Sequence, residues 1–249
     1  MTNATSVRVG YRIGDMRSWE KLQRSIVGCD KCPRLRGHCR SIAAEKRRSF
    51  SEWTYWGKPI PNFGAPTARL LLVGLAPAAH GANRTGRMFT GDRSGDFLFR
   101  AMYETGFASQ ATATHRGDGL ELIDAAITAA AHCAPPDNKP TPGEIANCAP
   151  FLESTIDLMS NLKGILALGR IGFDACLRTY KARGWLGPGP RPAFGHGALY
   201  EFESAPFLLA SFHPSQQNTF TGKLTPEMMR DVFLLARKTI DASSGPERR

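Results

Sequence analysis

No stretch of this chain approaches the roughly 20 consecutive apolar residues that cross a bilayer, and its opening residues Met1–Ser6 lack the hydrophobic centre of a secretory signal. The expectation is a cytoplasmic protein with no membrane partner. Internal repeats and low-complexity tracts are missing as well, which excludes solenoids and propellers. Neither G-x-x-x-x-G-K-[ST] nor G-x-G-x-x-G occurs, so a nucleotide-processing enzyme built on a phosphate-cradling loop has little support. Acidic residues are the other shortage: 22 Asp and Glu stand against 32 Lys and Arg, for a net charge of +10 and a pI of about 9.6. Residues 1–64 hold 13 basic and 5 acidic side chains, so most of the excess lies in the first quarter. A polyanionic partner such as nucleic acid suits that balance.

What is present is enough for one sizeable core, since 249 residues suit a single α/β domain. Three short apolar segments read as strands buried on both faces, Leu70–Leu75, Gly164–Gly169 and Phe207–Phe212. Ile123–Ala131 is Ala-rich and ambiguous by pattern, but its place before Cys133–Ala134–Pro135–Pro136 suits a further strand, the second in chain order. Helical patterns alternate with them. Gly95–Thr105 follows the first strand and Ile171–Tyr180 the third; Thr141–Pro142–Gly143–Glu144 and Thr225–Pro226–Glu227 carry helix-start chemistry, with helices expected to about Ser160 and Ile240. Strand–helix alternation predicts an α/β/α sandwich around a central four-stranded parallel sheet. Residues 1–18 are expected to be a flexible N-terminus, 19–241 the domain and 242–249 a disordered tail, with a short helix over Trp19–Ile26 and a basic arm from Arg34 to Arg48. Residues 53–63 are expected to wrap the core, and the Gly- and Pro-rich segment 184–197 to be an irregular excursion.

Two loops stand out. Gly74–Asp92, GLAPAAHGANRTGRMFTGD, leaves the first strand and is too long and too polar to be a simple connector. His213–Pro214–Ser215–Gln216–Gln217–Asn218 leaves the fourth strand, and in open α/β sheets ligands sit where strands end. Four cysteines also sit in loops or beside proline: Cys29 and Cys32 form a C-x-x-C, and Cys133 and Cys148 follow with fourteen residues between them. Such a set suits tetrahedral zinc or an iron–sulfur cluster, and spacing does not choose between them. Cys176 falls in an expected helix as a small buried hydrophobe; Cys39, ten residues after Cys29, stands as an alternative ligand.

The motifs GLAPAAHGANRTGRMFTGD and HPSQQNTFTGK, together with the cysteine pattern, resemble the uracil-DNA glycosylase superfamily in its family 5 form, over roughly residues 20–240. The resemblance implies a DNA glycosylase that flips and excises uracil from DNA and leaves an abasic site, in a monomer held to the nucleoid through DNA. It also implies a 4Fe–4S cluster on Cys29, Cys32, Cys133 and Cys148, pinning the basic arm to the domain. His213 is the expected donor to the departing base and Phe89 the stacking ring, though from sequence Phe89 suits core packing equally. Family 1 enzymes place an Asp two residues after the first Gly of the loop motif, in GQDPYH; here that residue is Ala76, and the family 5 pattern moves the acid to Asp92. Asp92 also precedes a helix start, where Asp is a favoured N-cap. Asn138 is expected to touch the flipped nucleotide, and His80, Asn83, Arg84, Arg87, Ser215, Gln216 and Gln217 to contact DNA. In family 4 enzymes the base-reading Asn lies four residues before the third cysteine, where this chain has Ala129. The loss of that amide, with Ala76, implies a roomier pocket admitting hypoxanthine, xanthine or ethenocytosine. The alternative reading is a metal-stapled nucleic-acid-binding module without catalysis, favoured by Ala76 and opposed by Asp92 and His213.

Overall fold

The computed structural model describes residues 13–243. Its frame is a six-stranded sheet in the order β1-β3-β2-β4-β6-β5. The inner four strands, β2 (Leu70–Gly74), β3 (Ala125–Ala129), β4 (Gly164–Leu168) and β6 (Phe207–Ser211), are parallel and buried along their whole length. Two-residue antiparallel strands, β1 (Phe63–Gly64) and β5 (Leu199–Tyr200), flank them at the edges. Successive side chains point to opposite faces, so Leu70, Leu72, Ile127, Leu166 and Leu209 join one core while Leu71, Val73, Ala126, Ile165 and Leu208 join the other. The first core is closed by α4 (Arg93–Glu104) and α8 (Pro226–Ala242); the second by α1 (Ile13–Val27), α5 (Pro142–Leu158) and α6 (Arg170–Ala182). The result is the expected three-layer sandwich around four parallel strands.

Helix starts follow their local chemistry. Thr141 and Glu144 form a reciprocal capping box on α5, and Thr225 caps α8. Three expectations are corrected. Residues 13–18 belong to α1, whose buried Trp19, Leu22 and Ile26 anchor a longer helix than Trp19–Ile26; residues 1–12 and 244–249, including nearly all of the expected tail, lie outside the described residues. Much of the basic arm is helix α2 (Pro33–Glu45), started by Pro33 and held by buried Leu35 and Cys39, with a bidentate Arg34–Glu144 pair at 2.8 and 2.7 Å tying it to α5. The third concerns the edge strands β1 and β5, which at two residues each are too short to show a period.

The topology locates a crevice. The chain leaves β2 toward β3 on one side and β4 toward β6 on the other, so a switch point lies past the C-terminal ends of β2 and β4. Both motif loops arrive there, with the short helices α3 (Ala82–Thr85) and α7 (Gln216–Phe220) inside them.

Candidate active site

A cavity of about 470 Å³ occupies the crevice. Gly74 of β2 and Ala129 of β3 form its floor, with Ala76, Phe89, Asp92 and His213 around it. Phe89 packs beside His213, ring centroids 5.8 Å apart and planes tilted by 33°. The Phe89 backbone is left-handed, φ 51°, and so are Asp137 (53°) and Asn138 (56°) across the mouth. A non-glycine residue held there stores about 1–3 kcal/mol of strain, a feature that clusters at functional sites. At Phe89 it depends on Gly95, where a Cβ would overlap the Phe89 carbonyl. The ring is therefore a presented surface at the cavity as well as a side chain packed against the core.

His213 follows β6 directly. Burial lowers its pKa to about 4, so the imidazole is neutral at pH 7 and offers one N–H and one lone pair. Asn218 Nδ2 donates to the His213 carbonyl at 2.8 Å and fixes the turn that carries it. Asp92 is both cap and wall. Its Oδ1 accepts from Gly95 N at 3.0 Å and caps α4, while the side chain also lines the cavity. Its Oδ2 lies where a Cβ at Gly81 would sit, so that glycine makes room for the carboxylate. Burial raises the Asp92 pKa, opposed by the Gly95 and Ser94 N–H groups and by Arg84, and assisted by Asp96.

Residues 61–236 match the sequence profile of the uracil DNA glycosylase superfamily. The chain belongs to that superfamily, in its type-5 branch. A type-5 uracil-DNA glycosylase of Mycobacterium tuberculosis is 46% identical over 219 residues, covering 88% of this chain and 80% of the relative. Type-5 uracil-DNA glycosylases of Mycobacterium leprae (44% identical, 90% and 97% covered) and Thermus thermophilus (43% identical, 88% and 97% covered) are similar over the same domain.

Not every residue expected at the DNA reaches the cavity of this glycosylase-family fold. Ser215, Gln216 and Gln217 line its mouth with Asn138. Three others are turned inward, a correction to the expected phosphate contacts. Asn83 is fully buried and donates to the Cys39 carbonyl at 3.2 Å. Arg84 packs into the corner formed by Phe50 and Trp53, 3.9 and 4.1 Å from their ring centroids, and donates to the His80 and Gly91 carbonyls at 2.8 Å each. Arg87 makes a bidentate pair with Asp118 at 2.7 and 2.8 Å, both side chains being under a tenth exposed. Two motif arginines thus clamp the loop rather than hold phosphate, because the His80 and Gly91 carbonyls, the Phe50 and Trp53 rings and the Asp118 carboxylate offer them fixed partners inside the fold. His80 Nδ1 sits 3.0 Å from the Tyr55 hydroxyl beside this clamp. Ser94, Asp137 and Met88, which sequence reasoning missed, also line the cavity; their adjacency to Asp92, Asn138 and Phe89 was the available signal.

The Arg87–Asp118 pair yields a stability prediction. Although burial opposes ionisation, the Arg87 fork and the Leu120 and Thr114 N–H groups hold the Asp118 carboxyl well below the usual carboxylate range. Removing one partner of a buried pair costs about 3–5 kcal/mol. Arg87→Met is expected to lose that much in urea unfolding, whereas Arg116→Met, on an exposed loop, changes little. Because the Asp118 pKa is depressed on folding, the contribution is full above the unfolded Asp value near 4 and fades as pH falls toward the folded one.

Cys32, Cys133 and Cys148 are buried free thiols and Cys29 is half-buried. Among the described residues, no three His, Cys, Asp or Glu side chains converge closely enough to hold an ion as they stand. The donor chemistry is nonetheless gathered in one place. Burial, and after it the nearness of Cys32 and Cys29, push the Cys148 thiol on α5 up to about 11, Cys133 lies close to Cys148 in turn, and the Asn147 amide lies 3.5 Å from Cys32 Sγ. Cys39 faces the same group, with its thiol against Cys133 and 3.6 Å from the Ala134 carbonyl. Cys176 is buried in the second core, away from them.

Proposed function

We propose that this uracil-DNA glycosylase receives a flipped deoxyuridine in the cavity that Phe89 and His213 line and hydrolyses its N-glycosidic bond there. The observation that carries the proposal is the convergence of a neutral His213, a strained Phe89 and the Asp92 carboxylate on one crevice. As the C1′–N1 bond breaks, negative charge collects on the pyrimidine and positive charge on the sugar. A neutral imidazole N–H stabilises the departing anion by hydrogen bonding, with no proton to acquire first. Asp92, partly desolvated, stabilises the oxocarbenium-like sugar and orients the water that adds to C1′; that water's proton passes to the carboxylate or to solvent. Phe89 stacks on the base, and Ser215, Gln216 and Gln217 position the strand at the mouth.

Cys29, Cys32, Cys133 and Cys148 fit a 4Fe–4S cluster: they are unpaired, mostly buried and drawn from three separate elements. When bound, such a group supplies cross-linking and no step of the excision. It would join the α1–α2 turn to α5 and so present the exposed Arg40, Arg47 and Arg48 to the polyanion.

Base selection rests on what the walls lack. Ala129 and Ala76 bring no amide to the floor, while Asn138 is exposed at the mouth. Sites that read a base by hydrogen bonds reject others far more strongly than sites that read shape. The enzyme is expected to remove hypoxanthine, xanthine or ethenocytosine besides uracil, and Ala129→Asn to shift it toward uracil. Single-turnover assays on duplexes differing only in that base, developed with alkali, test both statements. No cleavage at uracil overturns the activity; cleavage at uracil alone overturns the broad pocket.

A further inference from the structure

A second cavity, of about 350 Å³, shares a wall with the first. Along that wall neighbouring residues alternate between the two: Asp92 and Ser94 line the catalytic cavity while Arg93 and Asp96 line the second, and Gln216 and Gln217 line the first while Thr219 and Phe220 line the second. Phe220, at the end of α7, is 66% exposed, an unusual position for a large aromatic ring, and the Arg93 guanidinium lies 5.3 Å from its centroid. Phe97 and Ala101 of α4 and Pro226 of α8 supply the rest of the apolar lining.

The charge of this pocket narrows what it would take. Arg93 and Arg100 are balanced by Asp96 and Glu104, and Arg100 Nε is already 3.3 Å from Glu104. A charge-neutral hollow gives a phosphate no advantage. A flat aromatic ligand gains from both the apolar lining and the Phe220 ring.

Building on the uracil-excision reading, we propose that this cavity is a second nucleobase subsite, stacking on Phe220 a base adjacent to the flipped one in the same strand. Adjacency to the catalytic cavity across that wall argues for that occupant: a strand whose uracil lies against Phe89 passes Gln216 and Gln217 and reaches Phe220 on the same short helix. Stacking on an aromatic side chain tolerates any base, so the subsite adds affinity and register without sequence preference.

The test uses short oligonucleotides carrying the uncleavable 2′-fluoro-2′-deoxyuridine, both single-stranded and annealed to a complement, intact or with a tetrahydrofuran spacer in place of either neighbouring base. Binding is read by fluorescence anisotropy for the parent, Phe220→Ala and Phe220→Tyr. One stacked base corresponds to about 5–150-fold in affinity. The parent should lose that factor when one particular neighbour is removed, Phe220→Ala should lose it on the intact strand and nothing further with the spacer, and Phe220→Tyr should match the parent. Additive losses, or no loss in Phe220→Ala, overturn the subsite. A loss confined to duplexes also overturns it, and makes Phe220 a wedge between base pairs. Excision of ordinary deoxyuridine, assayed in parallel, separates failure of the subsite from failure of the glycosylase reading.

Discussion

His213→Ala lowers single-turnover excision of uracil by about 10²–10³, the effect of deleting one preorganised donor to a developing anion, and leaves affinity for intact DNA nearly unchanged. The donor acts only as the bond breaks, so its loss falls on the chemical step. The pH profile carries the sharper diagnosis. Burial holds His213 near a pKa of 4, so the imidazole stays neutral through the working range and the rate shows no inflection near the ordinary histidine value. The Asp92 pKa is raised by burial, so a carboxylate acting on the sugar and water requires the rate to climb with pH through a titration above the usual Asp range. That rising limb should be absent in Asp92→Asn, which keeps an oxygen to cap α4 but carries no charge. Parental excision by Asp92→Asn would leave Asp92 as a helix cap alone. An inflection near pH 6.5 that disappears in His213→Ala would mean the charged imidazole is the active form.

Cys133→Ala and Cys148→Ala are expected to remove the folded protein almost completely, and Cys29→Ala and Cys32→Ala to do the same. Ligation couples to folding because the α1–α2 turn, the loop after β3 and α5 share no large apolar core at this point: the buried cluster there is only Cys32, Leu35, Cys39, Cys133 and Ala134. Three buried thiols and the half-buried Cys29 around so small a core gain more from thiolate ligation than from packing. Cys176→Ala, in the second core, should fold and keep parental iron and sulfide. Cys39→Ala should keep them too, since its thiol already faces the Ala134 carbonyl at 3.6 Å. Loss of iron in Cys39→Ala would move a ligand to that position. Stoichiometric zinc without iron in anaerobically purified protein would replace the cluster with a zinc site.

The sequence alone determined the layers and the place of the site. Three short apolar runs, a fourth at Ile123–Ala131 recognised by its place before Cys133, and helical patterns between them admit little besides a covered parallel sheet, and the two polar loops leave the ends of β2 and β6, where that sheet opens. Local signals such as Thr141 with Glu144 were legible because their partners lie within four residues. The fates of Arg84, Arg87 and Asn83 were not, since their partners are remote: Phe50 and Trp53 for one, Asp118 for another, the Cys39 carbonyl for the third. A basic side chain in a glycosylase motif suggests phosphate until the chain folds and shows it a nearer acceptor. Asp92 divided the same way. Its capping bond to Gly95 is three residues long and readable, but its exposure to the cavity depends on Gly81, Arg84 and the α4 axis meeting in space. Burial of His213, which keeps it neutral, likewise belongs to the tertiary structure, because desolvation depends on the elements packed around a side chain and not on its sequence neighbours.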